Sequence, residues 1–243
     1  MQSLYIFQKG FNFSQDGPGN RLVFHLAGCS LCCPWCSNPE GKTRQGAQLV
    51  SVNQLVDEAI RCKPMFFSGG GITLTGGEVT EQFDAVKSLL EQLKAHDIST
   101  CIETNGTHPR LPELFPLIDY LIMDCKHYQD DRHREVIGAP LHTILQNIRL
   151  AGQQRQQLAV RIPLIGGFNA SEADAVGFAQ LFQDLGIQNI ATIELLRYHE
   201  YGKDKYQALG LPYHMTEEAR ISDNTYALFK EILQSNNIQL ITT

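Results

Sequence analysis

The chain has 243 residues, 43% hydrophobic and 19% charged, the composition of a globular protein long enough to bury a sizeable core at a radius of roughly 18 Å. A net charge of −6, from 20 basic and 26 acidic residues, argues against a phosphate-backbone binder, so no nucleic-acid partner is expected. No apolar run approaches the roughly 18 residues of a membrane span. Met1–Gly10 carries Lys9 and Gly10 rather than a continuous apolar core, so neither a secretory leader nor a membrane partner is expected and the expected location is the cytoplasm.

In chain order, strands are expected at Arg21–Ala27, Ile72–Thr75, Ser99–Glu103, Tyr120–Asp124, Val160–Ile165 and Thr192–Leu196. Helical periods lie between them. Val52, Leu55, Val56, Ala59 and Ile60 form one apolar stripe, opened by Ser51 with Gln54 three residues on. Phe83, Val86, Leu90 and Leu93 form another. Ser171–Leu185 starts at a serine cap and stops at Gly186, and a last helix is expected from about Glu217 to Leu233. Alternating strands and helices imply parallel strands covered by helices. Six such units make a doubly wound sheet or an incomplete (β/α)6 barrel of the TIM type, and both place ligands at the carboxyl ends of the strands. No linker, repeat or low-complexity tract divides the chain, so residues 1–243 are expected to form a single domain.

The sequence can be checked against that rule. Cys29–Cys36 follows the first strand, Gly76-Gly77-Glu78 the second and Glu103-Thr104-Asn105 the third. Asp124-Cys125-Lys126 closes the fourth, Arg161 sits on the fifth and His199 follows the sixth. Chemically capable residues gather where the fold would put a site. Arg161, between Val160 and Ile162 in an apolar strand, carries a charge that needs a partner if buried. Asp124, after Leu121, Ile122 and Met123, is in the same position.

Four of the seven cysteines lie within eight residues: Cys29, Cys32, Cys33 and Cys36. The odd total and the absence of a leader favour a metal site in a reducing compartment over a disulfide framework. Two registers are open, Cys-x3-Cys-x2-Cys through Cys29, Cys33 and Cys36, or two Cys-x2-Cys pairs. A tetrahedral zinc site draws its pairs from separated turns, and the neighbours Cys32 and Cys33 tend to point apart. Three thiolates on one loop suit a cubane iron–sulfur cluster and leave one iron open. Cys32 has no role in that register. A zinc-stabilised binding protein is the non-enzymatic alternative.

Cys29-Ser30-Leu31-Cys32-Cys33-Pro34-Trp35-Cys36 resembles the cysteine loop of radical S-adenosylmethionine (SAM) enzymes. The segment Ser14-Gln15-Asp16-Gly17-Pro18-Gly19-Asn20-Arg21 resembles the signature of their branch that activates glycyl radical enzymes. Ser37-Asn38-Pro39-Glu40, Gly69–Glu78, Glu103–Gly106, Asp124–Lys126 and Glu194–Lys203 are similar to that branch and collinear with it from about residue 5 to 210. Only Cys62 lies between Cys36 and Gly71, so the ferredoxin-like insert of many members is absent and the chain resembles the compact, single-cluster type. Two departures stand out: Glu103 where the branch often has Asp, and Gly166-Gly167-Phe168-Asn169 in place of a Pro-Gly and Asn-Asp pairing.

The resemblance implies one [4Fe-4S] cluster on Cys29, Cys33 and Cys36, with SAM on the fourth iron. It implies SAM contacts from Trp35, Ser37, Asn38, Gly76, Gly77, Glu78, Glu103, Thr104, Asp124, Lys126, Arg161 and His199, and a monovalent cation as a further cofactor. Gly76-Gly77 would let backbone approach the methionine portion, and Glu78 would accept from its amino group. His127 is a further, weaker candidate. Asp16 would face a partner protein. The expected activity is hydrogen abstraction from a glycine Cα of a glycyl radical enzyme, with a flavodoxin- or ferredoxin-type electron donor. The alternative within the same class is a compact enzyme acting on a small molecule or peptide, such as a deazapurine synthase-like catalyst.

Overall fold

The computed structural model describes residues 2–13, 15–154 and 157–241; Ser14 of the Asp-Gly-Pro-Gly signature lies outside them. The chain forms two compact units. The first gathers the chain up to Ser30, then Asn38–Thr104 and Arg110–Ile122; the second gathers Leu31–Ser37, Asn105–Pro109 and the chain from Met123 onward.

The first unit holds β1 (Ser3–Phe13), β2 (Asn20–Leu26), β3 (Gln48–Ser51), α1 (Val52–Cys62), β4 (Gly71–Gly76), α2 (Phe83–Ala95) and β5 (Ser99–Thr104). β2, β4 and β5 are parallel, in the register Arg21↔Gly71↔Ser99. Helices α1 and α2 bury the two apolar stripes read from the sequence, except that Ile60, at the margin of the first, is 39% exposed. Ser51 and Gln54 close the expected capping box at the start of α1, each side chain accepting from the other's main-chain N–H. The sequence reading missed β1 and β3, which pair antiparallel: β1 with β2 on one side and, through Ser3–Ile6, with β3 on the other. A period search aimed at strand–helix alternation passes over such a hairpin, although Tyr5, Ile6, Phe7, Phe11 and Phe13 supply β-formers.

β6 (Tyr120–Asp124) matches its expected span and leads into α3 (Asp130–Ile137), α4 (His142–Gln153), β7 (Gln157–Leu164), α5 (Glu172–Leu185), β8 (Thr192–Arg197), α6 (Lys203–Ala208), α7 (Asp223–Ser235) and β9 (Leu240–Ile241). In the second unit β7, β8 and β9 are parallel. The expected α5 is present, opened by a Ser171–Asp174 capping box and ended by Gly186 at φ 70°. The last helix is corrected. Its first turns are a single 3-10 turn, Glu217–Ala219, and α7 begins only at Asp223, where the Ser222 hydroxyl accepts from the Thr225 N–H at 3.0 Å. The chain between is held extended because the Ala219 carbonyl accepts from Gly166 N–H. α3 was not expected: its run of Asp130, Asp131, Arg132, Arg134 and Glu135 hides an apolar side made only of His133 and Ile137. The class is α/β, with parallel strands and covering helices. β3 and β9 are edges, and no pairing between described strands closes a barrel.

Arg21 locks the amino ends of the first unit's strands. It is fully buried and donates to Thr73 Oγ1, Pro18 O, Gly69 O, Ile72 O and Ser99 O at 2.7–3.3 Å. Burial lowers its pKa, while Cys101, Tyr120, Asp119 and Asp16 push it back up. A planar fork of five donors meets these acceptors; an ammonium does not. Arg21→Lys is therefore expected to lose about 3 kcal/mol in urea unfolding through buried acceptors left without donors. A loss under about 1 kcal/mol would show that the fork is not the lock.

Candidate active site

In the first unit the carboxyl ends of β2 and β4 are stitched by main chain. Gly77 N–H donates to Leu26 O at 2.8 Å and Glu78 N–H to Gly28 O at 2.7 Å; Gly28 N–H donates to Gly41 O and Cys29 N–H to Lys42 O. Only glycine permits this. A Cβ at Gly77 would lie 2.4 Å from Gly28 O and 2.5 Å from Gly41 O, and Gly76 has φ +117° with a Cβ position 2.5 Å from Leu26 N. The glycines thus fix the main chain that carries Cys29.

Glu78 lies at this junction, 1% exposed. Its Oε1 accepts from Thr80 N–H at 3.0 Å, from the Thr80 hydroxyl at 2.5 Å and from the Thr104 hydroxyl at 2.6 Å. The carboxylate caps the turn after β4 and ties it to the end of β5, a task the sequence reading did not assign. Glu103 Oε2 accepts from the Thr75 hydroxyl at 2.8 Å, a link between the same two strands. Asn38 lies half-buried at the start of a short 3-10 turn, its carbonyl accepting from Gly41 N–H.

Asp16 stands elsewhere. The register runs from Arg21↔Gly71 to Leu26↔Gly76, so the strands put about 17 Å between their two ends, and Asp16 sits at the amino end. Its carbonyl accepts from the Thr73 hydroxyl at 2.6 Å and its carboxylate from Asn12 Nδ2. The Asp-Gly-Pro-Gly segment is thereby fastened to the strands that Arg21 locks.

The second unit holds Cys33, 8% exposed, Cys36, half-buried, and Cys32, exposed. Cys36 N–H donates to Cys33 O at 3.2 Å, putting these two cysteines on one turn, while Cys32 N–H donates to Ile137 O at the end of α3. The loop belongs to no helix or strand and offers thiols without carboxylates, a soft donor set suited to iron–sulfur ligation. Among the described residues no three His, Cys, Asp or Glu side chains gather as ligands of a single ion; a cubane takes its thiolates on separate irons.

The buried charges of this unit find partners on neighbouring segments. Arg161 Nε donates to Glu194 Oε2 at 2.6 Å, and both side chains are under 10% exposed. Arg161 lies within β7 and faces Glu194 in the register of β8. Glu194 is the partner that the apolar setting of Arg161 demanded, and only pairing made it identifiable. Lys126 Nζ meets Asp124 Oδ2 at 2.5 Å. Cys125 N–H donates to Arg161 O at 2.8 Å, and burial pushes the Cys125 thiol up to about 12, which makes it inert. Asn169, another residue the sequence reading left without a role, is fully buried. Its amide donates to Lys126 O and Pro163 O, and its carbonyl accepts from Ile165 N–H, at 2.7–2.8 Å. It fastens the exits of β6 and β7 to each other.

A cavity of about 540 Å³ opens in the same unit, with Trp35, Ser37 and His199 in its lining beside Pro163, Leu195 and Tyr201. Three sequence-chosen residues thus meet in one place. Trp35 packs on Phe168, with ring centroids 5.1 Å apart, and His199 stacks on Tyr201 at 3.8 Å. His127 is not in that lining. It is buried, accepts at Nδ1 from Gln129 N–H and so donates from Nε2 to Phe168 O.

Residues 23–179 match the Radical SAM superfamily. The pyruvate formate-lyase-activating enzyme of Staphylococcus epidermidis is 33% identical over 210 residues, covering 82% of this chain and 83% of that protein. That of Staphylococcus aureus is 31% identical over 212 residues, covering 83% and 84%. The crystal structure of a domain of the Bacteroides vulgatus pyruvate-formate lyase-activating enzyme superposes with a TM-score of 0.58 at 24% identity, over 71% of this chain and 98% of that one. A radical SAM methyltransferase from Sphaerobacter thermophilus superposes at 0.67 and 17% identity, over 96% and 68%, a likeness of fold. The chain belongs to the radical SAM superfamily and, within it, to the family of the pyruvate formate-lyase-activating enzymes.

Burial lowers the pKa of His127, against an opposing hydrogen bond to Phe168 O and the charge of Asp174, with Arg132 adding to the lowering. Burial also lowers that of His133, against its bond to Ala139 O and the charge of Asp130, with Lys126 and His127 adding to the lowering. A histidine held below its unfolded pKa of about 6.5 binds more protons when unfolded. Its stabilising contribution is complete above that pH and is lost as pH falls toward the folded value. The melting temperature is expected to fall between pH 7 and pH 5, and His127→Gln should reduce that fall. An unchanged pH slope in His127→Gln would remove His127 as a cause.

Proposed function

We propose that this chain activates a glycyl radical enzyme by hydrogen abstraction from a glycine Cα of that partner protein. The observation that carries the reading is the cysteine loop, with Cys29 on main chain fixed by Gly76-Gly77 and Cys33 and Cys36 on one turn, in a chain whose curated relatives are named pyruvate formate-lyase-activating enzymes. The segment matched to the superfamily, residues 23–179, draws on both units and supports one radical SAM domain without a ferredoxin-like insert. The proposed location is the cytoplasm; no helix among the described residues is long and apolar enough to cross a membrane.

In this reading Cys29, Cys33 and Cys36 hold one [4Fe-4S] cluster, and Cys32, drawn to the end of α3, does not. When bound, the cluster and SAM supply one-electron cleavage of a sulfur–carbon bond to a 5′-deoxyadenosyl radical. The chain's own task is to orient and to exclude water, since an alkyl radical reacts with almost any nearby C–H bond. Trp35, Ser37 and His199, in a cavity of about 540 Å³ lined by apolar side chains and by Arg197 and Arg220, are assigned to the adenosyl portion. Arg161 and Lys126 are assigned to carboxylate or ribose oxygens and Asp124 to ribose hydroxyls or a monovalent cation. Gly76, Gly77, Glu78, Glu103 and Thr104 are assigned to the methionine side, and Asn38 to the cluster or the adenosine. Glu78 there works through Thr80 and Thr104 as much as directly. Asp16 is assigned to the partner, and a flavodoxin- or ferredoxin-type protein is the proposed electron donor.

Cys29→Ala, Cys33→Ala and Cys36→Ala are each expected to lose the cluster, whereas Cys32→Ala keeps about four irons per chain. Iron analysis after anaerobic purification checks this, and iron lost from Cys32→Ala but kept in Cys33→Ala would reverse the register. A glycine-centred radical in the partner, seen by electron paramagnetic resonance after incubation with reduced protein and SAM, tests the activity; SAM cleavage that depends on a metabolite instead would favour a small-molecule substrate.

Arg161→Ala is expected to weaken SAM binding at least about tenfold by calorimetry, as the loss of a buried cation assigned to the SAM carboxylate implies. Asp16→Ala should bind SAM normally yet give a lower radical yield. The opposite pattern would overturn the division between cofactor-facing and partner-facing residues.

A further inference from the structure

Helix α6 is one and a half turns long and lies directly after the His199-Glu200-Tyr201-Gly202 segment. Its cap, Gly202, is buried against the cysteine loop. A Cβ built there would lie 2.3 Å from Cys36 O, 3.3 Å from Cys36 C and 3.4 Å from Ser37 Cα. The φ of Gly202 is −81°, a value any residue adopts, so conformation does not require glycine here. Space does, and the atom that fills it is main chain of Cys36, which no rotamer change can clear. Tyr206 continues the same wall. Its N–H donates to Gly202 O at 2.9 Å, and its ring is 7% exposed. Behind it the ring of Tyr213 packs at 5.2 Å, and the Tyr213 and Tyr198 hydroxyls share a hydrogen bond of 2.7 Å. The wall is therefore braced from β8's exit through to the loop after α6.

We infer that Gly202, braced by Tyr206, is a positioning residue for the cluster: by meeting the main chain of Cys36 without a side chain between them, it sets where the third thiolate stands. The inference rests on the reading that Cys36 is a cluster ligand. Neither residue ligates iron or touches the reacting atoms. Their effect passes through the place of Cys36 and hence through the geometry and electronic state of the cluster.

The test uses the anaerobically reconstituted full chain. Gly202→Ala is expected to bind at most half the iron of the parent, and its reduced form to show shifted g values in electron paramagnetic resonance. Cys36 should become several-fold more reactive toward iodoacetamide, read by mass spectrometry on the metal-free protein. The buried Cys101 and Cys125 should stay protected, which separates displacement of the loop from loss of fold. Parental iron content and a parental spectrum in Gly202→Ala, beside a parent that holds four irons, would overturn this inference alone. A parent that binds no iron would remove the cluster reading and this inference with it. Should Gly202→Ala expose Cys101 and Cys125, Tyr206→Leu carries the test, since it removes the buried ring that braces the helix capped by Gly202 without adding an atom. A shifted spectrum with those two thiols protected supports the inference, and a parental one overturns it.

Discussion

The exits of β2 and β4 approach so closely that their main chains bond directly, Gly77 to Leu26 and Glu78 to Gly28, and no side chain fits between them. The cysteine loop begins from this contact. Cys29 follows Gly28 at once, and its N–H is held in turn by the short 3-10 segment that starts after Asn38. A ligand that must stand within a fraction of an ångström of its place is best carried on main chain already fixed by hydrogen bonds. Glycine provides that at Gly76-Gly77 by absence of bulk, at the cost of backbone entropy on folding. The same device recurs in the second unit at Gly202, against Cys36. Cys32 has its N–H taken by Ile137 O at the end of α3 instead.

The buried cations follow a second rule: each is matched by a partner of suitable shape. Arg21 meets neutral acceptors only, because several strand-end carbonyls converge on one planar fork. Arg161 meets a carboxylate from the adjacent strand, and Lys126 one from two residues away. These pairs are weak sources of net stability, since desolvation offsets much of the attraction. Their consequence is orientation. Arg161 held by Glu194 through Nε has its guanidinium plane set before any ligand arrives, and Asn169 does the same for the carbonyl of Lys126. A site organised in this way has less rearrangement to undergo on binding.

Much of this was legible from the chain alone. The six expected strands and the helices α1, α2 and α5 follow from apolar periodicity, which is why β6 and α5 stand at their expected bounds, and the capping boxes at Ser51 and Ser171 follow from local chemistry between residues three apart. The grouping of Cys29, Cys33 and Cys36 after the first parallel strand, with capable residues after the others, is also a local reading, because spacing along one loop is a property of sequence. The outer strands β1 and β3, the helices α3 and α4 and the late start of α7 escaped it. Their placement depends on pairing with distant segments, as in β1 on β3 and the Gly166 hold on Ala219.

What only the tertiary structure decided is partnership. The sequence marked Arg161 as a charge in need of a partner, but Glu194, 33 residues further along the chain, became that partner through the register of β7 and β8. It offered Glu78 for a ligand and could not show its oxygen already accepting from Thr80 and Thr104. It placed Asp16 ahead of the first strand without showing that the parallel register carries it to the end opposite Gly76. It marked a glycine at position 202 without the carbonyl of Cys36 that fills the space beside it. Periodicity, caps and loop spacing are set by neighbours in sequence and can be read there. Which oxygen or carbonyl faces a given side chain is set by strand register and loop packing, and these exist only once distant parts of the chain have met.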